Sequence, residues 1–134
     1  MLKPNSVIKV NTQLDAFFAN WLLFLRPFHQ MTDRQIDFAS KLLKHRHRLS
    51  KVILNEAALN EQVFGPTVRQ AVVEECGITM AFYRVLLRDL TKHKFIVDGA
   101  INPRYIPKVV EGAKSFSLML YFEFKEDAEK QGVR

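Results

Sequence analysis

Residues 68–101 read VRQAVVEECGITMAFYRVLLRDLTKHKFIVDGAI and carry the clearest fold signals in the chain. Val68 and Val72 lie one helical turn apart, at the start of a pattern that indicates a short amphipathic helix. Gly77 follows this pattern, and glycine readily takes the left-handed conformation that ends a helix. Thr79 then stands where a side-chain hydroxyl can cap the next helix. The stretch therefore begins with two predicted helices joined by a tight turn.

The second predicted helix covers Thr79–His93 and leads at once into a predicted β-hairpin. Its expected inward side chains are Tyr83, Leu87 and Leu90. After it, Asp98-Gly99 separates the short apolar segments Phe95–Val97 and Ala100–Ile101. Asp-Gly favours the positive backbone angles of a two-residue hairpin turn. We therefore expect the hairpin over Phe95–Ile101.

The outward face of this second helix is basic. Arg84, Arg88 and Lys92 follow one another at steps of four, so a helix places them in one stripe. Such side chains can contact base edges or phosphates in the major groove of DNA, and basic residues beside a hairpin can bind the backbone. The predicted nucleic-acid-binding residues are Thr79, Met80, Arg84, Arg88, Lys92, Lys94 and Arg104.

This order of parts resembles the winged helix-turn-helix family, with a recognition helix at Thr79–His93 and a wing at Phe95–Ile101. The chain departs from the usual family pattern at three positions. Val73 stands where the family has a small residue, Lys94 where it has a glycine, and Tyr83 where it has a smaller apolar residue. The resemblance implies a mainly α fold with a small β-sheet, in the α+β class, and duplex DNA as the partner of the recognition helix and wing.

The segment FIVDGAINP, at residues 95–103, is similar to small proteins of tailed bacteriophages and to plasmid replication initiators. In such families the winged helix binds DNA, regulates transcription or serves in the virion. Winged helices also act as protein-assembly modules, because a fold does not dictate a function. Met80 and Phe82 are less polar than a typical base-contacting tip and, if exposed, suit a protein contact. The alternative to DNA binding is therefore a bacteriophage virion assembly protein of the head–tail region.

The remaining parts of the chain are assigned to one domain. We expect an N-terminal arm or edge strand in residues 1–12, a helical part in 13–64, the winged helix-turn-helix in 67–102, and an extended segment, strand and charged tail in 103–134. Three helices are predicted in the helical part. The first begins at Leu14, with Thr12 as its cap, and ends at Pro27. The second begins at a capping box of Thr32 and Gln35, and the third covers Asn55–Phe64 and ends at Gly65-Pro66.

The helix after Thr32 also carries a basic face and two histidines. The basic residues are Lys41, Lys44, Arg46 and Arg48. Such a stretch is usually a solvated helix surface, with phosphate contact as the other interpretation. His45 and His47 point in different directions on a helix and cannot chelate one metal ion together, so we expect both at the surface.

The segment after the hairpin is predicted to be extended. Asn102-Pro103 and Ile106-Pro107 favour extended backbone and argue against a helix there. Between Phe116 and Phe124, apolar residues alternate with others in a period of two, which predicts a strand with one apolar face. Such a strand must lie on the core, add to the hairpin's sheet or pair with another chain.

Composition limits the functions that the chain can have. Of its 134 residues, 48% are hydrophobic, which suits one globular domain, and the net charge of +6 favours nucleic acid, an anionic membrane surface or an acidic protein as partner. A single cysteine, Cys76, is expected as a small buried side chain and fits a reducing compartment. No catalytic motif, signal peptide or membrane span is evident, so we expect a cytoplasmic, non-enzymatic protein without metal, cofactor or small-molecule substrate, which can form homo-oligomers.

Overall fold

A computed structural model describes residues 9–110, 112–119 and 121–125, and this part of the chain is mainly helical with one small antiparallel sheet. Its helices are α1 (Leu14–Phe24), α2 (Arg26–His29), α3 (Asp33–Ser50), α4 (Glu56–Val63), α5 (Pro66–Cys76) and α6 (Met80–Lys92). The sheet has two strands, β1 (Ile96–Val97) and β2 (Ala100–Ile101), and a 3₁₀ turn follows at Pro103–Tyr105. The α+β composition predicted from the sequence is confirmed.

Local capping signals fix several helix ends where the sequence predicts them. The Thr32 hydroxyl accepts from the Gln35 amide at 3.2 Å, and the Gln35 side chain accepts from the Thr32 amide at 2.9 Å, which completes the capping box of α3. Gly77 ends α5 with a left-handed φ of 63°. The Thr79 hydroxyl accepts from the Phe82 amide at 3.1 Å and so caps α6.

The first helix differs from its prediction at both ends. Gln13 rather than Thr12 occupies the N-cap position, while the Thr12 hydroxyl donates to the Gln13 carbonyl. Pro27 does not end α1, which stops at Phe24, but lies in the first turn of α2. Proline is tolerated there because a first-turn amide has no helical acceptor in any case.

The core surrounds α3, which packs against α1, α4, α5 and α6. Its amphipathic face buries Phe38, Leu42 and other apolar residues, and the facing helices contribute buried side chains to the same cluster. The buried residues of α6 are Tyr83, Leu86 and Leu90. Leu87, predicted to point inward, is only partly buried because Leu86 and Leu90 lie closer to the centre of the buried face.

The hairpin forms as predicted and is fixed to the end of α6. Ile96 pairs with Ile101, and Asp98 and Gly99 take φ values of 55° and 75°, as a two-residue hairpin turn requires. Phe95 is completely buried, and its amide donates to the Leu90 carbonyl at 2.9 Å. The sheet therefore cannot move independently of α6 without uncovering Phe95.

The chain after the hairpin returns to α1. A 3₁₀ turn begins at Pro103, so the prediction of extended backbone throughout is wrong at this point, since proline suits the first position of such a turn. The indole of Trp21 donates to the Tyr105 carbonyl at 2.9 Å. Further on, the ring of Phe116 contacts those of Phe17 and Trp21, with centroids 5.1 and 5.5 Å apart. These contacts hold Tyr105 and Phe116, and the chain around them, against α1.

The strand predicted over Phe116–Phe124 is not observed in residues 115–119 and 121–125, which have no sheet partner in the described chain. A period-two pattern specifies alternating faces, but a strand also needs a neighbour for its backbone hydrogen bonds. Of the predicted N-terminal arm or edge strand, residues 9–12 have no strand structure, and residues 1–8 lie outside the described residues. Apart from Lys125, the charged tail also lies outside them.

His29 joins four parts of the fold. Its buried ring accepts from the Met31 amide through Nδ1 at 2.9 Å, so Nε2 carries the proton and donates to the Leu22 carbonyl at 2.8 Å. The ring also packs edge-on against Tyr105, and the His29 carbonyl accepts from His93 at the end of α6. His29 thus connects α1, α2 and the 3₁₀ turn through its neutral imidazole, and α6 through its backbone carbonyl.

Stability should fall as the pH is lowered from 7 to 5, because burial lowers the pKa of His29 below its ordinary 6.5. The charges of Arg26 and His93 lower the pKa further, and the Leu22 hydrogen bond opposes them in part. Below pH 6.5 the unfolded chain therefore binds more protons at this site, and stability present above pH 6.5 is lost. Urea unfolding at several pH values should give a smaller loss for His29→Asn, and equal losses would contradict the assignment.

Candidate nucleic-acid interface

The basic stripe predicted on α6 is exposed along its whole length. Arg84, Arg88 and Lys92 all lie on the solvent side of the helix, opposite the buried Tyr83 and Leu90. None of the three makes an ion pair within the described residues. Each cation is therefore available to an external anion. The stripe ends at the hairpin, because α6 runs directly into β1.

Lys94 and Arg104, two further residues of the predicted site, lie near the end of this stripe. The side chain of Asn102 holds the backbone of both. Asn102 donates from its amide nitrogen to the Lys94 carbonyl at 3.0 Å and accepts from the Arg104 amide at 3.1 Å. Lys94 and Arg104 are both exposed. Sequence analysis missed this positioning role, although Asn102 precedes a proline at the end of the hairpin, where asparagine commonly caps a turn.

Lys94 has a backbone conformation typical of glycine, the residue that the winged helix-turn-helix pattern has at this position. Its φ is 63°, a left-handed value that costs a non-glycine residue about 1–2 kcal/mol. The chain needs this value because α6 must turn sharply before Phe95 enters the core. The hydrogen bond from Asn102 to the Lys94 carbonyl helps to hold the conformation.

Replacing Lys94 by glycine should leave the free energy of unfolding unchanged or raise it by up to about 1 kcal/mol. Glycine relieves the backbone strain of the folded state, but it also increases the conformational entropy of the unfolded chain, which offsets part of the gain. A matched control is Arg88→Gly, which removes a like charge from the interior of α6 and should lower stability by about 1 kcal/mol. Chemical denaturation of both variants measures these changes. A loss for Lys94→Gly as large as that of the control would contradict the strain argument.

The beginning of α6 is less accessible than the stripe. Met80, predicted to point outward as a contact residue, is partly buried against the core cluster. Phe82 also packs there, and the guanidinium of Arg34 covers its ring at 4.9 Å from the centroid. Thr79 is exposed, with its hydroxyl already accepting from the Phe82 amide. Within α6, the first exposed residue of the predicted site is thus Arg84. The N-cap Thr79, just before the helix, is also exposed.

Tyr83 is larger than the apolar residue that the winged helix-turn-helix pattern has at this position, and α6 accommodates it in the core. Its ring is buried and packs edge-on against Phe38, with centroids 5.3 Å apart. Burial raises the pKa of Tyr83, and the guanidinium of Arg69 opposes this shift in part. Val73, the second departure, is a partly buried side chain packed on the core.

The basic face of α3 has a different character, because three of its four cations are paired with carboxylates, while Arg48 is exposed and has no ion pair in the described chain. Lys41 binds Asp37 at 3.3 Å, one turn away on the same helix. The longer-range pairs are Lys44 with Glu75 at 3.4 Å and Arg46 with Glu56 at 2.5 Å. These three cations are partly buried and not part of a solvated basic surface as predicted, since acids of α3, α5 and α4 respectively pair with them.

His45 lies inside this network and not at the surface as predicted. It is only 6% exposed, and its Nε2 lies 3.0 Å from a Glu75 carboxylate oxygen. Burial alone would raise the pKa of Glu75, but the hydrogen bond and charge of His45, with Lys44 beside them, lower it. The carboxylate of Glu75 thus stays ionised and joins α5 to α3. Cys76, next to it, is partly buried, and burial raises the pKa of its thiol.

The hairpin tip does not extend the basic surface. Asp98 is exposed at the turn and contributes a negative charge. Gly99 borders an open groove whose other wall is formed by α4, including Asn55 and Asn60. The cations associated with the hairpin are therefore at its base, where Lys94 and Arg104 flank the two strands.

Comparisons with other proteins add no family assignment, since no family model, curated protein or solved structure matches the chain. Within the described residues, no three histidine, cysteine or acidic side chains are grouped so that they could hold a metal ion. The helices of that same part include none with the length and apolar character needed to cross a bilayer.

Proposed function

We propose that the chain is a non-enzymatic winged helix-turn-helix protein that binds duplex DNA. In this proposal α5 is the supporting helix, α6 is the recognition helix in the major groove, and the hairpin is the wing. The contact residues on α6 are Arg84, Arg88 and Lys92. Lys94 and Arg104 bind the phosphate backbone next to the wing.

The observation that carries the proposal is the difference between the two basic helices. On α3 the acids of neighbouring elements neutralise Lys44 and Arg46. On α6, Arg84 and Arg88 have no such partners in the described chain. Binding to phosphates releases condensed counterions from the duplex, and only unpaired cations can use this free energy fully. The positive charge of Arg84, Arg88 and Lys92 on α6 is thus available, whereas that of Lys41, Lys44 and Arg46 on α3 is not; Arg34 and Arg48 are the α3 cations that stay exposed without an ion pair in the described chain.

A second function, assembly within a bacteriophage virion, is favoured by one separate observation. The C-terminal segment exposes several large apolar side chains, among them Tyr121, Phe122 and Phe124. Large exposed apolar surfaces are typical of protein–protein contacts. In that function the winged helix would be a protein-assembly module, and the apolar segment would pair with neighbouring subunits.

The test is light scattering on the full chain, with and without a mixed-sequence duplex, over a series of salt concentrations. DNA binding predicts a complex that dissociates steeply as salt rises, because each phosphate contact contributes about 0.9 to the slope of log affinity against log salt. A large oligomer that ignores the duplex at every salt concentration would overturn the proposal and favour assembly.

A further inference from the structure

The C-terminal segment, residues 115–119 and 121–125, becomes more exposed as it leaves the body of the protein. Phe116 is partly buried on α1, Leu118 is 42% exposed, Phe122 is 76% exposed and Phe124 is 92% exposed. The segment has a strand's alternation but no partner strand in the described chain. Its backbone and its apolar side chains are thus both available to another molecule.

We propose that this C-terminal segment pairs antiparallel with the same segment of a second copy of the chain, forming a two-stranded ribbon across a two-fold axis. The sequence is self-complementary in the register in which paired residue numbers add up to 240. That register places Phe116 opposite Phe124, Leu118 opposite Phe122, Met119 opposite Tyr121 and Ser117 opposite Glu123. Apolar side chains meet apolar ones at each of the first three positions.

Charge and symmetry both support a second copy as the occupant. Glu123 and Lys125 lie opposite the serines at 117 and 115, so no like charges face each other across the ribbon. An antiparallel pairing of a segment with its own copy is two-fold symmetric and closes at two chains. Under this rotation the apolar positions of the segment fall opposite apolar positions, and its charged positions fall opposite serines.

Anchoring on α1 provides stability that an isolated ribbon would lack. Two strands alone are only marginally stable in water unless they pack against another element. Phe116 already contacts the rings of Phe17 and Trp21. In the proposed register, Phe124 of the second copy lies opposite Phe116, beside this aromatic cluster. The most exposed side chain of the segment is thereby brought to an apolar surface.

The test is the mass of the full chain in solution, measured by sedimentation without DNA. We expect a dimer of twice 15.6 kDa. Phe122→Lys and Leu118→Glu should each weaken dimerisation about tenfold, because each removes two apolar cross-strand pairs per dimer. Mixing the two variants should restore the dimer, since the register then places lysine opposite glutamate and keeps a Leu118–Phe122 pair.

The matched control is Val52→Lys, which adds the same charge at a residue of similar exposure outside the segment, and it should leave the dimer unchanged. A wild-type monomer at about 100 µM would overturn the proposal. So would a dimer that both variants leave intact, or a mixture of the two that fails to recover. Because no duplex is present, any of these results leaves the DNA-binding proposal to its own test.

Discussion

Replacing Arg84 and Arg88 together by alanine should weaken duplex binding about 100-fold and reduce the salt slope by about 2. Both guanidinium groups are exposed, one turn apart, and have no carboxylate partner in the described chain. Each would lose its phosphate or base contact. Fluorescence anisotropy with a labelled duplex at several salt concentrations measures both quantities.

The matched control is the double substitution Lys41→Ala and Lys44→Ala, which lowers the net charge by the same two units. These lysines are engaged by Asp37 and Glu75, so their removal should change affinity only about twofold through the weaker long-range field. Equal effects of the two double variants would mean that total charge, and not the α6 surface, governs binding. No effect of the arginine pair would place the interface elsewhere.

Truncating Phe95 to alanine should lower the free energy of unfolding by about 4 kcal/mol, because the side chain is fully buried and cannot be replaced by water. Its ring stacks on Tyr105, with centroids 5.9 Å apart, and lies between α6 and the 3₁₀ turn. Without this ring the hairpin would no longer be held in its orientation relative to α6. Duplex affinity should therefore also fall in this variant. Urea denaturation provides the stability measurement.

Val97→Ala is the control for Phe95, since this hairpin residue is 41% exposed and lies in β1. Its loss should stay within about 0.5 kcal/mol. A comparable loss in both variants would show that the hairpin as a whole, and not the buried ring, contributes the stability. Phe95→Leu should fall between the two, because it removes volume but keeps an apolar side chain in the core.

Local sequence signals account for several helix ends and for the hairpin turn. The capping box at Thr32, the left-handed Gly77, the cap at Thr79 and the Asp98-Gly99 turn are all observed where the sequence predicts them. Each depends on contacts within four residues, and such contacts are encoded by residue type and spacing alone. The basic stripe on α6 was found for the same reason, since steps of four define one face of a helix.

Which charges and apolar surfaces remain available depends on packing between distant parts of the chain. Lys44 and His45 meet Glu75 about 30 residues away in sequence, and no local pattern reveals such a pair. The segment after Phe116 has a strand's alternation, but whether a strand forms depends on the presence of a neighbour. Spacing along the chain specifies the direction of a side chain, whereas its burial and its partners depend on elements that approach only when the chain folds.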